Sequence, residues 1–202
     1  MSDFELLVFD LDGTLIDRDG ALLSACEKLL GPRPAEAQGE LASLVAASGS
    51  IRRLAARFRL PADQLRKAML EELRPRAEVR QLLVRLRKDH GLVLYTNGSA
   101  AVQHAKIRAA GLDGCFDRYL VSGEVGLRKP DTAFLKLALG GTPAADALVV
   151  GDDPRLDIAP AVSLGAATCL VGSAAKHEAA QSRFHVDDVL ELTEVLACPA
   201  ST

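Results

Sequence analysis

The chain has 202 residues, 49% apolar and 25% charged, a globular composition that fills one good-sized core or a core plus a small inserted domain. A net charge of −3 offers no basic surface for tracking phosphate backbones, and an aromatic share of 4% with no Trp argues against stacking platforms for single-stranded nucleic acid. Four widely spaced cysteines (Cys26, Cys115, Cys169, Cys198) form no CxxC pair, so small core residues in a reducing compartment are expected, not a metal knuckle or disulfide framework.

The first residues, Met1 to Glu5, carry no basic segment ahead of an apolar one, and every apolar run is far shorter than the about 20 residues of a membrane span. The expectation is a cytoplasmic protein with no nucleic-acid or membrane partner, monomeric or homodimeric.

Leu6 to Phe9 is a short apolar run that ends in Asp10, Asp12, Gly13 and Thr14. It reads as a strand buried on both faces, as in a parallel sheet, with its ligand-facing end at the two acids. If the extended geometry persists, Asp10 and Asp12 point roughly the same way. An acidic turn with an Asp cap is the bland alternative. From Asp17 to about Leu73, Ala and Leu recur at helical spacing, with breaks at Gly31-Pro32-Arg33-Pro34, Ser48-Gly49-Ser50 and Leu60-Pro61. This predicts four short helices with their own apolar face, a small helical domain inserted after the first strand.

Glu78 to Lys88 predicts an amphipathic helix with Val79, Leu82, Leu83 and Leu86 as its stripe. Leu92 to Tyr95 is a second strand closed by Thr96-Asn97-Gly98-Ser99, and a helix from Ala100 to Ala110 follows. Tyr119 to Val121 is a third strand, and Lys129-Pro130-Asp131 opens a helix through Leu139. Ala147 to Val150 is a fourth, ending in Gly151-Asp152-Asp153, with a helix from about Asp157 to Leu164. Ala167 to Val171 is a fifth, and the tail carries a weak helix near Ala174 to Ser182 and a last one near Val186 to Leu196. Strands alternating with helices mean βαβ units and a parallel α/β sheet. No GxxxxGK[ST] or GxGxxG stands at a strand–helix junction, so the usual nucleotide-cradling loops are missing.

The carboxyl ends of these strands share one edge, and each supplies polar groups there. The first gives Asp10 and Asp12, the second Thr96 and Asn97, the fourth Asp152 and Asp153 with Asp157 a turn on; Lys129 comes from the helix start after the third. Together they suit phosphoryl transfer, in which a doubly charged ester must be held in line and neutralised. A carboxylate nucleophile repels such a substrate unless a divalent cation lies between them. Mg²⁺ prefers oxygen ligands, which Asp10, Asp152 and the carbonyl of Asp12 can supply. Asp10 is then the nucleophile, forming an aspartyl-phosphate, and Asp12 the general acid and base. The Thr96 hydroxyl and nearby backbone N–H groups, at Gly13, Asn97 and Gly98, are expected to bind phosphate oxygens. The Lys129 ammonium would balance charge on the phosphate and on Asp10. Asp157 is either a metal ligand, a helix cap or a support for Lys129. Asp153 is either a ligand or second-sphere group, or a plain cap. His90, His104, His177 and His185 show no ligand spacing, and Arg52, Arg53, Arg57 and Arg59 read mostly as a solvated helix face.

These residues resemble the haloacid dehalogenase-like hydrolase superfamily. Its first motif is matched by Asp10-Leu-Asp-Gly-Thr-Leu-Ile16, its second by Leu94-Tyr-Thr96-Asn-Gly98, its third by Arg128-Lys129-Pro130-Asp131, and its fourth by Val149-Val-Gly-Asp152-Asp153 with Asp157 beyond. The resemblance implies a Rossmann-like three-layer core over residues 1–16 and 75–202, a helical cap over 17–74 that closes over the site, Mg²⁺ as cofactor, and phosphatase chemistry on a small phosphorylated metabolite. Asp153 departs from the Ser that relatives often carry, and Pro160 stands near a common Gly, so the helix after the fourth motif is expected to begin differently. A phosphomutase and a catalytically silent metal-binding module are the alternatives; Asp12 makes a dehalogenase a poor one.

Overall fold

The computed structural model describes residues 4–32, 34–47, 50–172 and 181–197. Leu6–Phe9 (β1) and Ala147–Gly151 (β4) are buried at every position, and Gly91–Thr96 (β2) and Ala167–Val171 (β5) at all but the first. With no solvated face these runs show no polar–apolar alternation, as expected of parallel strands between helices. Arg118–Val121 (β3) and Phe184–Val186 (β6) are less buried and form the two edges. The six strands lie in the order β3-β2-β1-β4-β5-β6, every pair parallel. The chain runs outward from β1 to β3, returns to place β4 beside β1, and runs outward again. That reversal between β1 and β4 is the switch point beyond whose carboxyl ends a ligand crevice opens.

The chain divides into two compact units, Met1–Ile16 with Arg76–Thr202, and Asp17–Pro75. The second holds Arg18–Leu30 (α1), Ala35–Ala47 (α2), Ile51–Arg57 (α3) and Ala62–Glu72 (α4). Asp17 caps α1 by accepting from the Gly20 N–H at 2.8 Å, and Pro61 precedes α4, where its fixed φ suits a helix start. Leu22, Cys26, Leu41, Val45, Leu54, Leu65 and Met69 are its buried side chains, so the helical spacing of the sequence did mark an inward face. Arg52, Arg53, Arg57 and Arg59 are exposed, as a solvated face should be.

In the first unit, Ala77–Leu86 (α5) buries Val79, Leu82, Leu83 and Leu86. Ala100–Ala109 (α6), Ser122–Val125 (α7) and Thr132–Leu139 (α8) follow β2 and β3. Phe134, Leu135 and Ala138 of α8, with Ala161 of Ala159–Ser163 (α9), pack with Val8, Val93 and Val149, which stand in register across the sheet. Phe9, pointing to the opposite face from Val8, meets Phe116 with ring centres 6.0 Å apart. Each such buried Val, Leu or Phe side chain contributes about 1.5–3 kcal/mol.

Two segments depart from the sequence reading. The helix expected from Asp157 starts instead as a π-turn, Pro154–Ile158, that passes into α9. Pro160 has no N–H to donate and its ring crowds the carbonyl four residues back, so a regular α ladder is blocked and the wider turn takes its place. At the tail, β6 adds to β5 with Val186 buried and His185 exposed, where a helix was expected to begin. A strand of three residues is too short to show a period of two. The last helix is a 3-10 turn, Val189–Glu191, capped by Asp188 and continuing into Leu192–Ala197 (α10). The helix expected near Ala174 to Ser182 falls largely on 173–180, outside the described residues, as do His177 and Cys198. Cys26, Cys115 and Cys169 are buried core thiols. No helix among the described residues is long and apolar enough to cross a membrane.

Candidate active site

The ladder between β1 and β4 continues one residue past β1, because the Asp10 N–H donates to the Val150 carbonyl at 2.9 Å. Asp10 is thus fixed at the switch point beside the end of β4. Beyond it the chain leaves extended geometry: the Leu15 and Ile16 N–H groups return to the Leu11 carbonyl at 3.0 and 3.1 Å, and Gly13 N–H donates to Ile16 at 2.9 Å. Gly13 has φ +85°, and a Cβ there would lie 2.5 Å from Asp152 Oδ2. A glycine is required twice over, for the backbone and for the approach of the Asp152 carboxylate.

Lys129, 3% exposed, reaches this point from the loop before α8. Its ammonium donates to Asp10 Oδ1 and, at 2.7 Å, to Asp157 Oδ1, and lies 3.9 Å from the centre of the Tyr95 ring. Its backbone is clamped by Asn97, whose side-chain amide donates to the Lys129 carbonyl at 3.1 Å and accepts from its N–H at 2.9 Å. Asp157, almost fully buried, also accepts from Tyr95 OH at 3.3 Å and from the Asp153 N–H at 3.1 Å. A Cβ on Gly151 would lie 2.4 Å from the Asp157 carboxyl group, so that glycine admits the carboxylate to the strand end.

Carboxylate oxygens of Asp10, Asp152 and Asp157 all lie within 4.8 Å of one another. Lys129 brings an ammonium to two of these acids, Asp10 and Asp157. Burial pushes the Asp10 carboxyl up to about 8; the Asp157 and Asp152 charges add to the rise, and Lys129 opposes it. Burial alone would lower Lys129, but Asp10 and Asp157 hold it well above the usual lysine range. Three carboxylate oxygen donors at this spacing fit a hard divalent cation, and these three residues could hold one.

A second polar cluster stands on the other side of β1. Lys106 Nζ donates to both carboxylate oxygens of Asp12, at 2.8 and 2.6 Å. Gln103 Nε2 donates to Asp12 Oδ2 at 3.3 Å and to Thr96 Oγ1 at 2.6 Å. Both belong to α6 and are buried. Sequence reasoning missed them, because with only Val102 and Ile107 as larger apolar residues the helix shows no clear inward face.

The structure therefore separates residues that the sequence grouped. Asp10 and Asp12 do not share partners, because the extended geometry ends between them. The carboxylate trio includes neither Asp12, expected to offer its backbone carbonyl, nor Asp153, whose Oδ1 caps the π-turn by accepting from the Arg155 and Leu156 N–H groups at 2.8 and 3.0 Å. Two expected phosphate donors have other acceptors, Gly13 N–H on Ile16 and Gly98 N–H on Ser122 Oγ at 2.9 Å. The Asn97 side chain serves Lys129. Of the histidines, His90 Nδ1 lies 2.7 Å from the Phe4 carbonyl, His104 pairs with Glu124 at 2.7 Å, and His185 is exposed.

The sheet, its switch point and the acids there are those of a hydrolase fold with known members. The chain belongs to the haloacid dehalogenase-like hydrolase family, whose model matches residues 4–165. It is 40% identical over 74 residues to the phosphoserine phosphatase of Thermus thermophilus, a match covering 36% of this chain and 30% of that protein. It is 30% identical over 138 residues to the pyrimidine 5'-nucleotidase YjjG of Escherichia coli, covering 65% of this chain and 61% of that protein. The matches thus span less than two thirds of these curated relatives. In fold, the chain is similar to the HAD-hydrolase YfnB of Bacillus subtilis, whose crystal structure is bound to magnesium, with TM-score 0.73, 20% identity, and 96% and 99% of the two chains covered.

Proposed function

We propose that this protein is a divalent-cation-dependent phosphatase of small phosphorylated metabolites, working through an aspartyl-phosphate on Asp10. The observation that carries this reading is the Asp10 carboxylate at the end of β1, held by the Lys129 ammonium and grouped with Asp152 and Asp157 within 4.8 Å. The family, and relatives named phosphoserine phosphatase and pyrimidine 5'-nucleotidase, support it. The helical unit Asp17–Pro75 serves, in this proposal, as the cap that sets substrate choice.

Asp10, Asp152 and Asp157 would hold the cation, with Mg²⁺ the best match to an all-oxygen donor set. When bound, it neutralises charge between the nucleophile and the phosphoryl group. Asp10 oxygen attacks phosphorus while the bond to the leaving oxygen breaks, and Asp12 gives that oxygen a proton. Lys129 balances negative charge on the transferring group, and the Thr96 hydroxyl donates to one of its oxygens. In the second step Asp12 takes a proton from water, the water oxygen bonds to phosphorus, and the bond to Asp10 breaks to give inorganic phosphate. Asp12 regains in this step the proton it lost in the first.

The test is release of inorganic phosphate from a library of phosphate esters with and without Mg²⁺. The Asp10→Asn variant, folded by circular dichroism, should lose at least about 10⁴-fold in kcat, as nucleophile removal does elsewhere. Turnover near the unmodified level in that variant would sink the mechanism.

A further inference from the structure

The Asp12 cluster has a feature that the proposed reaction does not by itself explain. Lys106 and Gln103 are 5% and 1% exposed, and burying an ammonium costs several kcal/mol unless it is paired. Among the described residues, the hydrogen bonds of the Lys106 ammonium go to Asp12 and those of the Gln103 amide nitrogen to Asp12 and Thr96. Both therefore point at the two groups that would protonate the leaving oxygen and bind the phosphate. Their spacing of three residues puts them on one face of α6, where the helix meets the ends of β1 and β2.

Gln103 also fixes a polarity. In the ionised state, in which Asp12 takes the proton from water, its oxygens only accept, so the end of the amide against Asp12 Oδ2 is then the NH₂. That same nitrogen lies 2.6 Å from Thr96 Oγ1, which therefore accepts from it. The hydroxyl proton of Thr96 is then left to be donated elsewhere, which suits an anionic oxygen. Lys106 does the same for orientation: two contacts, at 2.8 and 2.6 Å, fix the plane of the Asp12 carboxylate where a single contact would let it rotate.

We propose that Lys106 and Gln103 are a positioning pair, which sets the Asp12 carboxylate for proton transfer and the Thr96 hydroxyl as a phosphate donor. This rests on the phosphatase reading above. The pair acts through Asp12 and Thr96 and does not itself touch substrate. Removing Lys106 should disturb proton transfer, and removing Gln103 should also weaken phosphate binding.

The experiment compares an aryl phosphate, whose leaving group needs little protonation, with an alkyl phosphate, whose leaving group needs much. Lys106→Met, which keeps the length and bulk of the side chain, should lower kcat on the alkyl ester about 10–100-fold with KM nearly unchanged. On the aryl ester the first step should be spared and the phosphoenzyme should accumulate, visible after acid quench. Lys106→Arg, which can still reach both oxygens, should restore a large part of the loss. Gln103→Leu should raise KM for both esters and lower kcat. Circular dichroism and thermal midpoints accompany each variant. Equal losses on both esters with no phosphoenzyme build-up, or no rescue by Lys106→Arg, would show a structural role and overturn the proposal. So would unchanged turnover in Lys106→Met. Absence of phosphate release by the unmodified protein with Mg²⁺ overturns the phosphatase reading itself, a separate outcome.

Discussion

Asp10 and Asp12 stand two residues apart at the end of the same strand, yet each meets a different lysine in a different electrical setting. On the Asp10 side, Lys129 lies between Asp10 and Asp157, and Asp152 brings a third carboxylate close by. On the Asp12 side, Lys106 holds one carboxylate with both oxygens engaged, and Gln103 completes the set. In the first cluster three carboxylates converge, an arrangement that a divalent cation can bridge. In the second a single carboxylate is engaged by side chains of the chain itself. Convergence of carboxylates, more than the presence of acids, separates a place built for a cation from one built to hold a side chain still.

The largest test of that contrast removes the lysines in turn. Lys129→Met leaves Asp10 and Asp157 buried against each other, and losing one partner of a buried ion pair costs about 3–5 kcal/mol. Activity should fall by about 10²–10³-fold, the usual cost of removing one fixed charge-stabilising group. Because a cation can take over part of the neutralisation, Mg²⁺ should restore more of the lost urea midpoint in Lys129→Met than in Lys106→Met. Asp12 keeps 24% of its side chain exposed, so water can replace Lys106, and that variant should lose only about 1–3 kcal/mol. Equal stability losses, both indifferent to Mg²⁺, would erase the distinction between the clusters.

A smaller change sharpens the same point without touching a charged group. In Gly13→Ala the new Cβ would meet Asp152 Oδ2 at 2.5 Å while φ stays near +85°, a region that costs a non-glycine residue about 1–2 kcal/mol. The Asp152 carboxylate must then move from the trio. Mg²⁺ affinity, read by calorimetry, should drop about 10–100-fold, as it does when groups that orient ligands are disturbed. Unaltered Mg²⁺ binding in that variant would mean that Asp152 is not held where the cation sits.

The two clusters also differed in how far the sequence disclosed them. Asp10, Asp152 and Lys129 follow short apolar runs or open a helix beside one, and such positions in a parallel sheet must gather at one edge. Asp157 was left between three roles, because its partners come from Lys129, Tyr95 and Asp153, on elements whose spacing no linear pattern gives. Lys106 and Gln103 were not seen at all. In Ala100–Ala109 only Val102 and Ile107 are larger apolar residues, so the helical period does not tell which polar side chain turns inward. Asp153 was left between a ligand and a plain cap, and the N–H groups of Arg155 and Leu156 at the start of the π-turn give it the cap.

A third aspartate, at the amino ends of β2 and β3, supplies the control for acid burial. Asp117 accepts from the Leu92 N–H at 2.8 Å and from Arg87 at 3.0 and 2.6 Å. The backbone donor holds its carboxyl below the usual aspartate range; slight burial opposes this, and Arg87 reinforces it. The sign is opposite to that of Asp10, whose setting disfavours charge. A depressed folded value means that the unfolded chain binds the proton more readily, so Asp117 contributes stability above the ordinary aspartate range near pH 4. That contribution is lost as pH falls through the depressed folded value. The side chain is 42% exposed, so solvent screens the pair and the contribution is about 0.2–1 kcal/mol. Asp117→Asn should therefore lower the urea midpoint slightly at pH 7 and by less as pH falls below the ordinary aspartate range, flattening the acid limb. Phosphate release and its Mg²⁺ dependence should be those of the unmodified protein. An Asp117→Asn protein with an unchanged acid limb would mean that the loop from Gly111 to Asp117 is held by Arg80 and Arg87 through backbone carbonyls alone.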